Sequence, residues 1–238
     1  MGDSLGQNSW TKTMGDVNRR EIYRYLGYRG STPDAAVAEA VESCLEELRQ
    51  AVTPRFVFRR FEIERIEESL IRGQEQAQLL QIAGMKIRSR SLSVNLRGCD
   101  SVYLMAATLG IGPDRLIARA SVNRMSRAVI YQAAAAAMIE TWSDEVNSRI
   151  IQEAAKEGLF CRPRFSPGYG DFSLSYQSDF ARILRIQKEI GVSLTESMLM
   201  MPSKSVTAVI GLSRRDEKCV LHGCEVCSKA AGCAFSRL

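Results

Sequence analysis

The spacing of hydrophobic and polar residues predicts long helices that alternate with isolated strands. An apolar stripe of helical period runs from Asp34, a suitable N-cap, to about Arg49. Apolar and charged residues roughly alternate from Arg55 to Ile66, which is typical of one or two half-buried strands. The continuous apolar run from Asp100 to Leu109 predicts a buried strand, and the longest helical pattern extends from about Ser126 to Glu157.

Shorter patterns complete the predicted domain. Five further helices are expected: Arg19 to Leu26 after the cap Asn18, Gln74 to Ile82, Ser89 to Leu96, one from Asp114 onward, and one that ends at Ile190. The last of these begins at a cap, either Ser178 or Asp179. A final strand is expected over Val206 to Leu212. Because long helices separate the strands, with few β-α-β repeats, the pattern favours a single α+β domain with a mostly antiparallel twisted sheet flanked by helices. We expect it to span residues 18–213, between a flexible N-terminus at 1–17 and a cysteine-rich C-terminal tail at 214–238.

The composition excludes several classes of protein. Of the 238 residues, 45% are hydrophobic and 25% charged, which is ordinary for a globular protein. The net charge of +5 is too small for a dedicated nucleic-acid binder; the basic residues between Arg55 and Arg97 form either solvated faces or a docking surface for an acidic or phosphate-bearing ligand. The apolar stretch from Ala133 to Ile139 is far shorter than the roughly 20 residues that span a bilayer, and no signal-peptide pattern is present. We expect a cytoplasmic protein with no nucleic-acid or membrane partner.

The histidine and cysteine content narrows the chemistry. His222 is the only histidine, so a Ser-His-Asp or Cys-His arrangement would depend on it, and the sequence has no glycine-rich loop of the kinds that bind nucleotide phosphates. Four cysteines near the C-terminus have the spacing C-x4-C-x2-C-x5-C: Cys219, Cys224, Cys227 and Cys233. Four clustered thiolates suit zinc or an iron–sulfur cluster, and the alternative is reduced thiols in a frayed tail. The three other cysteines are scattered, as expected of small buried residues: Cys44, Cys99 and Cys161.

A short segment after the long helix combines several ligand-binding groups. From Arg164 to Tyr169 the sequence reads Arg-Phe-Ser-Pro-Gly-Tyr. The planar guanidinium of Arg164 suits a carboxylate, and the ring of Tyr169 suits a heterocycle. Pro167 fixes its φ angle and Gly168 allows backbone geometry closed to other residues, so the chain can approach a ligand closely. The alternative is a plain Pro-Gly turn between a helix and a strand.

Two later segments join this one in a distinctive combination. Arg-x-x-Pro-Gly-Tyr at 164–169 is followed by Leu-Thr-Glu-Ser at 194–197 and by Pro-x-x-Ser-Val at 202–206. Together they resemble the activation domain of vitamin B12-dependent methionine synthase, which binds S-adenosylmethionine. The long helix before the loop and the opening segment at 21–28 also look like the family, so the resemblance covers most of residues 18–213.

The resemblance implies a set of residues that bind S-adenosylmethionine. Arg164 would take the methionyl carboxylate, Glu140 the ammonium, and Tyr169 with the Ser166 backbone the adenosyl portion. The implied set is completed by Pro167, Gly168 and Glu196. An acidic ligand-binding residue of the family aligns with Ala136, one turn before Glu140, so either Glu140 replaces it or the ligand is held differently. The cysteine-rich tail has no counterpart in the fused domain of the family.

The resemblance also implies a function. A chain of this length has no room for a methyltransferase barrel or a cobalamin module, so we expect a separate reactivation subunit. It would support reductive methylation of cob(II)alamin on a partner cobalamin-binding methionine synthase that lacks its own activation domain. A flavodoxin- or ferredoxin-type donor would supply the electron, and no catalytic acid or base is expected. The alternatives are a metal- or iron–sulfur-binding redox accessory protein for a corrinoid protein and a structural subunit with a vestigial ligand loop.

Overall fold

The structure is a computed structural model that describes residues 17–28, 32–66 and 79–216. The helices are α1 (Arg19–Tyr25), α2 (Ala35–Ala51), α3 (Arg90–Asn95), α4 (Gly112–Asn123), α5 (Met125–Ala155), α6 (Gln177–Leu184) and α7 (Ile186–Ile190). The strands are β1 (Arg55–Ile66), β2 (Leu79–Ile82), β3 (Met85–Arg88), β4 (Ser101–Thr108), β5 (Phe160–Cys161), β6 (Ser193–Leu194), β7 (Met200–Met201) and β8 (Ser205–Ser213). Residues 1–16, which hold most of the expected flexible N-terminus, lie outside the described part.

One six-stranded sheet organises the molecule. Its strand order is β3-β2-β1-β4-β8-β5, and every neighbouring pair is antiparallel. The central strand β4 pairs along its whole length with β1 and with β8; Met105 lies opposite Phe58 on one side and Ala208 on the other. The antiparallel sheet, the flanking helices and the long helix α5 confirm the fold class expected from the sequence.

Helices cover both faces of this sheet. Alternate residues of β4 enter two separate cores, because successive side chains of a strand point to opposite faces. Tyr103 and Met105 pack under α1, α2, α4 and α5, whereas Val102 and Leu104 pack under α3, α6 and α7. All eight residues of β4 are therefore buried. The result explains why its sequence is continuously apolar rather than alternating.

Side-chain caps fix the start of three helices where the sequence predicted them. The Asn18 carboxamide accepts a hydrogen bond from the Arg20 backbone N–H, and Asp34 accepts one from Val37. Ser89 caps α3 in the same way. Such caps satisfy backbone donors that have no partner inside the helix. Among the described residues, no helix is both long enough and apolar enough to cross a membrane.

Two predicted helices are wrong in part. Within the expected helix Gln74 to Ile82, the described residues form β2, which pairs with β1 and turns through Ala83 and Gly84 into β3. Both turn residues have positive φ, as a two-residue hairpin of this type requires. Alanine rarely occupies a position of positive φ, so of the two turn residues only Gly84 indicated a hairpin in the sequence. Residues 74–78 lie outside the described part.

The expected helix that ends at Ile190 is in fact two helices. Arg185 has a left-handed backbone with φ of 54°, which ends α6 and separates it from α7. The first helix begins at Gln177, so Ser178 and Asp179 lie inside its first turn and neither is the cap. The apolar spacing continues through the break because Leu184 and Ile186 both enter the same core.

Candidate ligand-binding site

The segment 162–171 that follows β5, here called the Arg164 loop, contains a tight turn. The Tyr169 backbone N–H donates to the Ser166 carbonyl at 3.2 Å, which closes a four-residue β-turn. Pro167 and Gly168 are its central residues, and Gly168 has a φ of 96°. Proline followed by a residue of positive φ is the pattern of a type II turn. The turn presents Tyr169 with 64% of its surface exposed.

The Arg164 loop is attached to the sheet and to the core beneath it. Phe165 exchanges two backbone hydrogen bonds with Val209 of β8, at 2.9 and 2.8 Å. Phe172, which directly follows the loop, is fully buried and its ring lies 6.2 Å from that of Phe165 and 5.2 Å from that of Tyr176. Because both ends of the turn are held in this way, its position is set by the sheet and the core rather than by the turn alone.

Asp171 joins the Arg164 loop to α3. Its carboxylate accepts hydrogen bonds from the Ser89 hydroxyl at 2.7 Å and from the backbone N–H groups of Arg90 and Ser91 at 2.6 and 3.0 Å. Burial by itself would raise the pKa of Asp171, but the hydrogen bonds from Ser89, Ser91 and Arg90 outweigh it and lower the pKa to about 2. The neighbouring Gly170 has no room for a side chain, since a Cβ there would lie 2.8 Å from the Ser91 Oγ.

Arg164 contacts the long helix through two carboxylates. Its Nη2 lies 2.9 Å from Asp144 Oδ1 and 3.7 Å from Glu140 Oε2. The Arg164 side chain is 22% exposed, against 46% for Glu140 and 74% for Asp144. The structure therefore brings together the predicted pair of Arg164 and Glu140, although Asp144 is the nearer carboxylate.

Several buried polar atoms near this cluster lack a hydrogen-bond partner among the described residues. One is Nη1 of Arg164, the second arm of the guanidinium fork. Ser143 Oγ and Asn147 Oδ1 are two others, on the helix stripe that carries Glu140 and Asp144 at three- and four-residue spacing. Leaving a buried polar atom unsatisfied costs about 1–3 kcal/mol. The arrangement thus offers a buried donor on a guanidinium that contacts two acids, which suits a ligand that carries both a carboxylate and an ammonium group.

Glu196 does not belong to this cluster. It lies in the exposed turn between β6 and β7, whose hydrogen bonds link Thr195 to Ser197 and Leu199. Among the described residues Glu196 has no hydrogen bond and no ion pair. The segment 202–206 is attached to α4, because the Ser203 backbone N–H and hydroxyl both donate to Asp114.

Two residues of this site, Asp144 and Asp171, were not predicted from the sequence. Asp144 follows Glu140 by one helical turn, so its position on the same face was available from the spacing alone. Asp171 had no such signal, since its partners Ser89 and Arg90 are about 80 residues earlier in the chain. Only the folded chain reveals this contact.

The cysteines fall into two groups. Cys44 and Cys99 are buried, and Cys161 is half-buried. Burial raises the pKa of Cys44, and burial together with the nearby Cys99 raises the pKa of Cys161 to about 11. Within the described residues, no cluster of His, Cys, Asp or Glu is arranged to hold a metal ion. The predicted metal ligands lie outside the described residues: Cys219, Cys224, Cys227 and Cys233.

Comparison with known proteins gives a family match and a similar fold. Residues 99–218, about half of the chain, match the family model described as vitamin B12 dependent methionine synthase, activation domain. The fold is similar to that in a crystal structure of the MetH reactivation domain bound to AdoHcy, with a TM-score of 0.57 and 18% sequence identity, over 84% of this chain and 76% of that chain. No curated protein matches the sequence. The matched range contains α5, the Arg164 loop and Glu196.

Proposed function

Since the chain belongs to the family of vitamin B12-dependent methionine synthase activation domains, we propose that it binds S-adenosylmethionine and supports reactivation of a partner methionine synthase. The partner would be a cobalamin-binding methionine synthase without an activation domain of its own, and a flavodoxin- or ferredoxin-type protein would donate the electron. The reaction would take one electron from that donor and the methyl group of S-adenosylmethionine, would leave S-adenosylhomocysteine, and would return the partner's cobalamin to its methylated form.

The observation that carries this proposal is the unpaired Nη1 of Arg164. A guanidinium binds a carboxylate best through two parallel N–H groups, and here one of the two is buried and unused. The methionyl carboxylate of S-adenosylmethionine supplies the missing acceptor. Glu140, 3.7 Å from Nη2, lies where it can accept from the adjacent ammonium.

The turn supports the rest of the ligand in this proposal. Tyr169 offers an exposed ring against which the adenine can stack, and Gly168 leaves the backbone uncovered beside it. Ser166 and Pro167 set the direction of the turn, so their role is to position the backbone. Glu196 stays a prediction from the resemblance, since no contact joins it to this cluster.

The task of the protein in this reaction is positional. A methyl transfer from a sulfonium needs no proton transfer, so this chain would have to hold S-adenosylmethionine with its methyl group presented to the partner's cobalamin. In this proposal Arg164 holds one end of the ligand and the turn holds the other. Arg164 and the turn are both positioned by the sheet, because Phe165 between them is hydrogen-bonded to β8. We expect the chain to have no methyltransferase activity without its cobalamin-binding partner.

Replacing Arg164 tests the proposal. A charge-assisted hydrogen bond contributes about 1.5–3 kcal/mol, so Arg164→Ala should weaken S-adenosylmethionine binding roughly 10- to 150-fold. Arg164→Lys should also bind poorly because an ammonium lacks the bidentate geometry. Calorimetric titration measures both affinities, and thermal melting checks the fold.

The matched control is Arg182→Ala. Arg182 is a 64% exposed arginine of α6 that pairs with Asp179, and its removal should leave the affinity unchanged. The proposal fails if the unmodified protein does not bind millimolar S-adenosylmethionine either alone or with a cobalamin-loaded methionine synthase.

A further inference from the structure

Asp144 occupies the position at which a ligand carboxylate would meet Arg164. Its Oδ1 lies 2.9 Å from Nη2, the geometry of a charge-assisted hydrogen bond. Only one carboxylate oxygen and one arm of the fork are engaged in this contact, since Nη1 has no partner among the described residues. Asp144 therefore engages Nη2 of Arg164 and leaves the buried Nη1 without an acceptor among the described residues.

We propose that Asp144 is an internal occupant of Arg164 that exchanges places with the ligand. On binding, the ligand carboxylate takes both arms of the Arg164 fork, and the released Asp144 accepts from the ligand ammonium. This inference rests on the proposed function and adds to it a determinant of specificity. The site admits an α-amino acid group in preference to a carboxylate alone.

The energetics of the exchange favour release of Asp144. Its side chain is 74% exposed, and ion pairs of such exposed groups contribute little because solvent screens them. A carboxylate that reaches Nη1 removes an unsatisfied buried donor, which is worth more than the pair it replaces. Asp144 also has nothing else to hold it, because Arg164 is its only ion-pair partner among the described residues.

Charge balance explains why the ligand also needs an ammonium group. Glu140 and Asp144 lie one helical turn apart, and Arg164 is the cation between them. A ligand carboxylate bound to Arg164 brings a third negative charge to this cluster. An ammonium on the adjacent carbon of the same ligand restores the balance and finds Asp144 and Glu140 as acceptors. A ligand without the ammonium also has to displace Asp144 from Arg164, but it has no donor with which to bind the released carboxylate.

The test compares two ligands on Asp144→Asn, which keeps the shape of the side chain and removes its charge. The first is S-adenosylmethionine, and the second is its deaminated analogue, which keeps the carboxylate and lacks the ammonium. The deaminated analogue should bind the variant about two- to fivefold more tightly than it binds the unmodified protein, because its competitor is weakened. The ratio of the affinity for S-adenosylmethionine to the affinity for the analogue should be smaller in the variant than in the unmodified protein, by at least the same factor.

Glu153→Gln is the matched control, since it removes one negative charge from the same helix, at a residue that pairs with Lys156. It should change neither affinity, which excludes a general effect of charge. The inference is overturned if Asp144→Asn leaves the preference unchanged while Arg164→Ala still weakens S-adenosylmethionine binding, and the proposed function then stands. If the unmodified protein binds neither ligand in the presence of its cobalamin-loaded partner, both proposals fail.

Discussion

Asp171 is a single side chain that connects the candidate ligand loop to a separate helix. Its three hydrogen-bond donors come from Ser89, Arg90 and Ser91, and two of them are backbone groups at the first turn of α3. A carboxylate in this place satisfies donors that have no partner within the helix. The same carboxylate thus stabilises α3 and holds the end of the Arg164 loop.

Asp171→Asn should lower the free energy of unfolding by about 1 kcal/mol at neutral pH, the usual effect of losing a helix cap, and no more than that because the residue is exposed. The pKa of Asp171 is depressed to about 2 in the folded protein, below its unfolded value of roughly 3.9. The stabilisation is therefore complete above about pH 4 and is lost as the pH falls toward 2.

Urea unfolding of both proteins at pH 7, pH 4 and pH 2.5 measures this difference. The difference in the free energy of unfolding between the unmodified protein and Asp171→Asn should be largest at pH 7 and smallest at pH 2.5. Asp179→Asn serves as the control, because the ion pair of that carboxylate is with Arg182, within the same helix α6. A difference that does not depend on pH would show that the Asp171 charge contributes nothing.

At the scale of elements, the sequence predicted those whose signal is local. The helix starts near Asn18, Asp34 and Ser89 and the long helix α5 follow from short-range chemistry. The hairpin of β2 and β3 was missed because pairing with β1 outweighs the weak preferences of a four-residue segment. The break at Arg185 was missed because no glycine or proline marks it.

Gly112 lies where α4 closely approaches α2, so a substitution at this position tests how tightly the two helices are packed. A Cβ at Gly112 would lie 1.9 Å from the Ala51 carbonyl oxygen, so the start of α4 would have to move away from the end of α2. Gly112→Ala should lower the free energy of unfolding by about 1–3 kcal/mol, as overpacking does. Gly158→Ala is the comparison, since in the part of the chain that the structure describes no atom beyond its chain neighbours lies within 4 Å of a Cβ there, and its φ of 68° is the unfavourable feature.

Urea unfolding ranks the two variants. Gly112→Ala should be the less stable, because it meets backbone rather than open space, and Gly158→Ala should lose about 1 kcal/mol. Equal losses would mean that α2 and α4 separate without cost, contrary to the packing described.

At the scale of the whole molecule, the candidate site joins the two helical layers. Arg164 contacts α5, which packs on one face of the sheet, and Asp171 contacts α3, which packs on the other. The loop crosses from one layer to the other at Phe165, which is hydrogen-bonded to β8. The sequence predicted Arg164 and Glu140 through the resemblance, but the crossing depends on long-range pairing that no short pattern records.

The buried thiols of the described core have a consequence for reaction kinetics. At pH 8 a thiol with a pKa of about 11, such as Cys161, is ionised to roughly one part in a thousand, whereas an ordinary thiol is ionised to about a quarter. Cys44 and Cys99 are buried as well, so reagents reach them only when the fold opens. In the native protein, any thiols that are alkylated rapidly should therefore come from the set Cys219, Cys224, Cys227 and Cys233.

This difference in rate gives a direct assay of the tail without any substitution. If the tail holds zinc or an iron–sulfur cluster, a thiol-specific chromophoric reagent should react slowly until a chelator is added, and four thiols per chain should then react in a fast phase. Four fast thiols before chelation, in protein supplied with metal, would contradict metal binding. The slow remainder, three thiols per chain, would appear only with denaturant and would serve as the internal standard of the same measurement.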